Sequence, residues 1–169
     1  AGVRIGRLPE STLIALPVGE TRRVVCASPA YLRRAGVPKT PAELAAHAAV
    51  VFSGLGGSEW SFEGEAPRRV PVRAVLRTNQ VDAALEACER GLGCGQFLSY
   101  QVEAAVAAGR LRRVLEAFEP APVPVQIVYP HGRLLSSNVR AFVDFAAPRL
   151  RRGAAVTAPA VRRGRPAQS

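Results

Sequence analysis

The chain has 169 residues, of which 48% are hydrophobic and 21% charged, so it is long enough for one ordinary domain or for two small ones. These proportions are typical of folded proteins, and no run of roughly 18 uncharged apolar residues predicts a membrane span. The net charge of +10 resembles a nucleic-acid signal, but six arginines fall within residues 149–169, which leaves +4 on residues 1–148. A DNA-binding face should be a basic stripe on folded structure, so the charge alone does not predict one.

The N-terminus has no basic segment followed by an apolar run, and we therefore expect a cytoplasmic protein without a membrane partner. The chain contains no methionine, and "AGVRIGRLPE" reads as if it begins inside a strand. We accordingly expect a fragment of a longer protein.

Cysteine and histidine are too sparse to predict a metal site or a catalytic centre. Cys26, Cys88 and Cys94 lack paired ligands at short spacing, and each lies in an apolar stretch that favours a reduced core thiol. His47 closes a predicted helix and His131 lies in a predicted turn. A transferase or hydrolase would need a clustered acid–base pair, and the acidic residues are scattered. We predict no enzyme activity, no metal and no cofactor.

The first predicted elements are a strand at 22–27 and a helix with Ser28 as its N-cap, Pro29 at its first position and Gly36 past its end. The next segment repeats this arrangement.

In "KTPAELAAHAAVVF", Thr40 is the predicted cap, Pro41 opens a helix and Glu43 completes a capping box before a buried strand.

Strand alternation follows in "EWSFEG" and in "RRVPVRAVLRT", which we predict to place Val70, Val72, Ala74 and Leu76 on one face. The remaining predicted elements are a helix at 80–90, strand "CGQFL", a helix at 99–108 ended by Gly109, strand "LRRVL", a strand at 125–129 and a last helix with Val139, Phe142, Val143 and Ala146 at helical spacing. Strands alternating with helices indicate an α/β fold of parallel units, in which ligands bind beyond the carboxyl ends of the strands.

The stretch "RTNQVDAALEACERGLGCGQF" raises the question of a phosphate loop. A dinucleotide fingerprint places its glycines before the helix, whereas Gly91, Gly93 and Gly95 follow it. We predict that Gly91 ends the helix in the left-handed conformation and that the other two allow a tight return into the sheet.

The start of the same helix has two interpretations. Thr78 and Asn79 stand at a strand end, where free N–H groups and side-chain donors could receive an anionic or polar ligand. Alternatively, Asn79 caps its own helix and Asp82 completes the box. The two roles are compatible.

Taken together, these motifs resemble the effector-binding domain of LysR-type transcriptional regulators over residues 1 to about 150. The resemblance is carried by "CASPAYL" with "TPAEL..H", by "EWSF", by "LRTNQVDAALEACERGLGCGQF" and by "VYP....LS..VRAFVDF" near the end. It implies an α/β, periplasmic-binding-protein-like (type 2) two-lobed fold with an incomplete first lobe. The implied division is 1–20 for the end of the first lobe and a crossover, 21–124 for the second lobe, 125–150 for the return crossover and closing helix, and 151–169 for a disordered basic tail.

The resemblance also implies that a small effector, anionic or aromatic, binds in a cleft between the lobes. Carried over position by position, the implied effector-binding residues are Arg4, Gly6, Phe52, Ser53, Asn79, Gln80, Gln96 and Phe97. Arg4 would supply charge, Ser53 and Asn79 hydrogen bonds, and the two phenylalanines apolar walls. From the residues alone, both phenylalanines could be core and Arg4 could pair with a surface acid.

Several departures limit what the chain itself is expected to do. Family members carry an N-terminal helix-turn-helix, a long dimerisation helix and more of the first lobe, so DNA would be a partner only through that missing segment. Gln80 stands where an acid or serine is common. The full-length protein is expected to be a homodimer or homotetramer. The alternative is a stand-alone or remnant ligand-binding module without DNA-linked output.

Overall fold

The computed structural model describes residues 1–6, 13–64, 68–130 and 136–157, with the side chains of residues 68 and 153–157 excepted. The described residues divide into two compact units: unit 1 comprises those within 1–20 and 124–157, and unit 2 those within 21–123. The boundaries expected from the resemblance, 20/21 and 124/125, are close to this division. Their identification as lobes of a larger domain is a proposal.

The chain order alternates strands with helices. The strands are β1 (Gly2–Ile5), β2 (Leu13–Thr21), β3 (Arg23–Ala27), β4 (Ala48–Phe52), β5 (Glu59–Phe62), β6 (Arg68–Pro71), β7 (Arg73–Thr78), β8 (Cys94–Leu98), β9 (Arg112–Val114) and β10 (Val123–Pro130). The α-helices are α1 (Pro29–Ala35), α2 (Val81–Glu89), α3 (Ser99–Ala107) and α4 (Ser137–Thr157), and 3-10 turns lie at Pro41–Ala46, Ser53–Leu55 and Glu116–Phe118.

Unit 1 is a small sheet with one long helix. Its strand order is β1-β10-β2, and β1 is antiparallel to β10. Val18 and Ile127 are buried in its core together with Ala147 of α4. The helix contributes this face because Val143, Ala146, Ala147 and Leu150 recur at helical spacing.

Unit 2 is built on a five-stranded sheet in the order β7-β4-β8-β3-β9. Strand β4 is parallel to both β7 and β8, whereas β3 is antiparallel to β8 and to β9. The expectation of an α/β fold is confirmed, but the expectation of purely parallel units is wrong for β3 and β9. All five residues of β8 are buried because both faces of the sheet are covered, and Gln96 is the one polar side chain among them.

The two faces of this sheet carry two separate cores, which we call the hairpin core and the helix core after the elements that cover them. The hairpin core includes Val25, Val51 and Cys94, and it is closed by Trp60 and Phe62 of β5 and by Val70 of β6. The helix core lies on the opposite face and contains Val24, Val50, Cys88 of α2, Phe97 and Val102 of α3.

The predicted helix ends agree with the structure where backbone chemistry decides them. Ser28 accepts a hydrogen bond from the backbone N–H of Tyr31 at 3.2 Å and begins α1. Gly91 follows α2 with φ +81°, and its N–H donates to the carbonyl of Cys88 at 3.0 Å. Gly109 ends α3 in the same way, with φ +70°. These three predictions are confirmed.

The capping box expected at Thr40 does not form. Pro41–Ala46 is a 3-10 turn, and the Thr40 side chain caps no backbone N–H. Glu43 instead accepts from the backbone N–H of Lys39 at 2.9 Å and from the Thr40 hydroxyl at 3.1 Å. The Lys39 N–H is the main cause that lowers the pKa of Glu43. The segment is short and ends at His47, so no α-helix propagates.

The segment predicted as one strand with a single apolar face is two strands in two sheets. Strand β6 pairs with β5, and β7 pairs with β4. Between Ala49 and Val50 the register with β7 shifts, because Ala49 lies opposite Ala74 and Val50 lies opposite Leu76. Val75 is therefore an extra residue, and Leu76 packs in the helix core instead of beside Ala74.

The closing helix differs from its prediction in length and in face. It continues to Thr157, so residues 151–157 are helical where a disordered tail was expected, and residues 158–169 lie outside the described residues. Phe142 is 37% exposed and does not join the packed face, whereas Val143 and Ala146 do. None of the helices in the described ranges is long and apolar enough to cross a membrane.

Candidate functional site

The carboxyl ends of three parallel strands meet at one edge of the unit 2 sheet. Phe52, the last residue of β4, lies opposite Thr78, the last residue of β7, and β8 is parallel on the other side of β4. This is the edge at which α/β sheets bind ligands, because the strands stop there and their following segments begin.

Phe52 and Ser53 form the centre of this edge. Phe52 is half-buried beside the helix core, and its ring lies over Gly54, where a Cβ atom would come within 2.3 Å of it. Ser53 is exposed, and its hydroxyl donates to the backbone carbonyl of Thr78 at 3.3 Å. This hydrogen bond ties the segment after β4 to the end of β7.

The start of α2 follows directly from β7. The N-cap residue is Gln80, whose side chain makes no capping hydrogen bond, and its backbone N–H donates to the hydroxyl of Thr78 at 3.0 Å. The interpretation in which Asn79 caps the helix with Asp82 is wrong. Asn79 and Gln80 are both exposed, so their amides are accessible at the edge.

Gln96 and Phe97 of β8 are both buried, but they face opposite sides of the sheet. Phe97 is 0% exposed and belongs to the helix core, so the core alternative holds for it and it is no wall of an open site. Gln96 is 3% exposed, and its Nε2 has no hydrogen-bond partner among the described residues. A buried amide without an acceptor costs about 1–3 kcal/mol. Among the described residues of unit 2, Nε of Arg113 is likewise buried without a partner.

Arg4 and Gly6 belong to unit 1. Arg4 is exposed on β1, opposite Gln126 of β10. Gly6 has φ +102°, a conformation that favours glycine, and its N–H donates to the carbonyl of Pro124 at 2.9 Å. Of the eight predicted residues, unit 2 brings Phe52, Ser53, Asn79 and Gln80 together at its strand-end edge.

The sequence interpretation missed a cavity within unit 2. It has a volume of about 440 Å³. Its lining consists of Arg23, Leu55, Gly56, Gly57, Ser58, Glu59, Ser61, Arg69, Pro120, Ala121 and Val123. The available signal was the alternation in "RVVCA", which puts Arg23 on the same face of β3 as the buried Val25 and Ala27. Arg23 is thus a charged residue on a strand face that otherwise carries buried apolar residues.

The three cysteines of unit 2 are buried, and their surroundings disfavour the thiolate form. Burial is the main cause that raises the pKa of Cys26 and of Cys94 from 9.0 to about 12, and burial also raises the pKa of Cys88 well above its ordinary value. All three are free thiols in the core. Within the described ranges, no group of three or more His, Cys, Asp or Glu residues is arranged to hold a metal ion.

The sequence matches the family model described as the LysR substrate binding domain over residues 1–151. An uncharacterized HTH-type transcriptional regulator of Escherichia coli (strain K12), YhjC, is 37% identical over 149 residues, which cover 86% of this chain and 50% of YhjC. The HTH-type transcriptional regulator PgrR of the same organism is 30% identical, with coverage of 85% of this chain and 50% of PgrR. The chain thus spans about half the length of these relatives.

Solved structures of LysR-type transcriptional regulators are also similar to this chain. CrgA, a LysR-type transcriptional regulator from Neisseria meningitidis, has a TM-score of 0.76 and 25% identity, with 88% of this chain and 51% of CrgA covered. The Vibrio cholerae virulence activator AphB has a TM-score of 0.75 and 25% identity, with 87% of this chain and 50% of AphB covered. The type 2 periplasmic-binding-protein-like fold expected from the sequence is confirmed.

Proposed function

Because the chain belongs to the LysR substrate-binding domain family, we propose that it is the effector-sensing part of a LysR-type transcriptional regulator that acts in the bacterial cytoplasm. DNA binding comes from a helix-turn-helix segment outside these residues, as the names of the HTH-type relatives suggest. The regulator works as a homodimer or homotetramer.

The observation that carries this proposal is the family match over residues 1–151, since it covers both units. The strand-end edge of unit 2 supports it locally. Ser53, Asn79 and Gln80 present a hydroxyl and two amides at the point where β4 and β7 stop, and such groups orient small polar metabolites. Binding in a cleft between two lobes, as the resemblance implies, stays a prediction.

The mechanism is the thermodynamic linkage between effector binding and DNA binding. A ligand that binds one arrangement of the protein more tightly than another shifts the population toward the first. The effect on DNA affinity cannot exceed this difference, which is typically about 1–3 kcal/mol. We therefore expect an effector to change DNA affinity about 5- to 150-fold.

The proposal is tested by placing residues 1–169 behind the DNA-binding half of YhjC, with an operator selected from random duplexes. A library of carboxylic and aromatic metabolites is then screened for changes in operator affinity. Asn79→Ala should weaken the response to an active compound at least about tenfold, a loss of about 1.4 kcal/mol. Asn138→Ala, on exposed α4, is the matched control and should leave the response unchanged.

Each outcome has a distinct meaning. A compound that binds without changing operator affinity would favour the alternative of a ligand-binding module without DNA-linked output. An unchanged response in Asn79→Ala would remove Asn79 from the site but leave the sensing function. A library without any active compound would contradict the proposed function itself.

A further inference from the structure

We infer that the end of helix α4 forms a basic surface that binds the phosphate backbone of double-stranded DNA without reading its sequence. The surface consists of Arg149, Arg151 and Arg152, and further arginines follow them in the sequence. This contact goes beyond the proposed function, on which its biological meaning rests. It gives the chain a DNA contact of its own, whereas the resemblance implies DNA contact only through a segment outside these residues.

The structure provides the folded support that the charge pattern alone lacks. Helix α4 continues to Thr157, so three of the six arginines within residues 149–169 stand on a regular helix. All three are exposed. Residues 149–152 span about one helical turn, which concentrates three positive charges within about 6 Å of helix length.

The helix directs these arginines away from its packed side. The residues that pack in the core of unit 1 recur at helical spacing: Val143, Ala146, Ala147 and Leu150. With about 100° of rotation per residue, Arg152 points nearly opposite to this packed side, and Arg149 and Arg151 lie on its two flanks. The three guanidinium groups can therefore contact a partner while α4 stays packed.

Arg149 is held in place before any partner binds. Its guanidinium carbon lies 3.6 Å from the centre of the Phe145 ring, and its Nη1 donates to the backbone carbonyl of Phe145 at 2.8 Å. A guanidinium has five N–H groups, so this hydrogen bond leaves others for an acceptor. An already ordered side chain loses less conformational entropy on binding.

The charge of this part of the chain has a single sign. Asp144 is the last acidic side chain in the sequence, and residues 145–169 carry six arginines: Arg149, Arg151, Arg152, Arg162, Arg163 and Arg165. Such a series of cations complements a polyanion, and guanidinium groups bind phosphate through charge-assisted, often bidentate hydrogen bonds. Contacts to phosphate carry no sequence information, so the expected binding is non-specific.

Two features favour DNA over a lipid surface as the partner. A helix that lies on a membrane needs a free apolar face, whereas the main apolar face of α4 is packed in unit 1. One side of the exposed Phe145 ring also carries the Arg149 guanidinium. In the proposed regulator DNA is held by the same polypeptide, so a weak second contact acts at a high effective concentration.

The test measures binding of the purified full chain to a fluorescein-labelled duplex of random sequence by fluorescence anisotropy. The NaCl concentration is varied from about 50 to about 200 mM, because the slope of log K against log salt counts phosphate contacts. We expect a dissociation constant of about 1–100 μM at the lowest salt, as is typical of non-specific binding.

Charge-matched variants decide whether α4 makes the contact. The triple variant Arg149→Gln, Arg151→Gln and Arg152→Gln should bind at least about tenfold more weakly, and its salt slope should shrink by about 2–3, since each lost phosphate contact removes about 0.9. Lysine at the same three positions keeps the charge and should stay within about threefold of the parent.

The control removes three exposed arginines of unit 2 through Arg33→Gln, Arg73→Gln and Arg112→Gln. It lowers the net charge by the same amount and should stay within about threefold of the parent. Circular dichroism establishes that each variant is folded.

The inference is overturned if the parent does not bind the duplex at up to about 100 μM, or if the two glutamine triples weaken binding alike, because affinity would then follow net charge alone. It is also overturned if the α4 triple binds DNA as the parent does but loses binding to vesicles of phosphatidylcholine and phosphatidylglycerol, which would assign the surface to lipid. Each of these results leaves the sensing function standing, since the assay involves neither an operator nor an effector. A failed operator screen, in turn, would contradict the sensing function and leave this DNA contact unaffected.

Discussion

The hydroxyl of Tyr31 lies 3.1 Å from Nδ1 of His47, and this buried pair joins helix α1 to the segment that enters β4. The same hydroxyl accepts a hydrogen bond from the backbone N–H of Ala48 at 2.9 Å. One side chain thereby fixes the beginning of the strand whose other end carries Phe52.

Tyr31→Phe tests this connection. The change removes the hydroxyl and leaves the Ala48 N–H and the His47 nitrogen without their partner, so we expect the free energy of unfolding to fall by about 1–2 kcal/mol. Urea denaturation measures it. Tyr100→Phe is the control, because Tyr100 is 48% exposed and should change the value by less than about 0.5 kcal/mol. Equal values for the two variants would show that the pair does not stabilise the fold.

Local chemistry explains which parts of the fold could be predicted. Ser28 begins α1 through its own side chain, and Gly91 follows the end of α2 through its own backbone conformation, so the sequence suffices to locate both. The antiparallel direction of β3 and the extra residue at Val75 depend on which strand lies alongside, and that is decided by partners distant in sequence. The site shows the same limit. Asn79 could be placed at a strand end from its own segment, whereas the cavity beside Arg23 is lined by residues within 55–61 and 120–123, which are distant from it in sequence.

Gly93→Ala tests the return from α2 into the sheet. A Cβ atom at residue 93 would lie 2.4 Å from the backbone carbonyl oxygen of Ala48, which cannot move without shifting β4. We expect a loss of about 1–3 kcal/mol in the free energy of unfolding. Gly2→Ala is the control, since a Cβ atom there meets nothing within 4 Å. A neutral Gly93→Ala would mean that the strand pair is looser than its register implies.

The two glutamines of β8 and α3 give a matched comparison. Gln96→Leu removes an amide whose Nε2 is buried without a partner, so the free energy of unfolding should stay constant or rise by up to about 1–3 kcal/mol. Gln101→Leu removes an oxygen that accepts from the backbone N–H of Leu98 at 2.9 Å, and it should cost about 0.5–1.5 kcal/mol. Denaturant titration compares them, and a large loss in Gln96→Leu would indicate a structural role for that amide.

The core cysteines predict a loss of stability in alkali. Burial raises the pKa of Cys26 and Cys94 to about 12, while the unfolded thiols ionise near 9.0. Between these values the folded state binds more protons than the unfolded state, so stability present below pH 9 is lost as the pH rises toward 12. Urea midpoints at about pH 7.5 and about pH 10 measure this fall.

The control for alkaline destabilisation is the variant in which alanine replaces Cys26, Cys88 and Cys94, because it lacks the titrating thiols. Its midpoint should depend less on pH over the same interval. An equal dependence would assign the effect to other groups, among them Tyr31, whose pKa burial also raises.

The extra residue in β7 lets two residues that stand two positions apart face opposite sides of the sheet. Before Val75 the strand faces the hairpin core through Ala74, and after it Leu76 faces the helix core. Deleting Val75 would place Leu76 directly after Ala74 and opposite Val50, and regular alternation would then keep both side chains on the faces they now occupy. Val75 itself is 43% exposed, so many side chains should be tolerated there. The strand can thus lose this one residue without turning over the apolar residues that follow it.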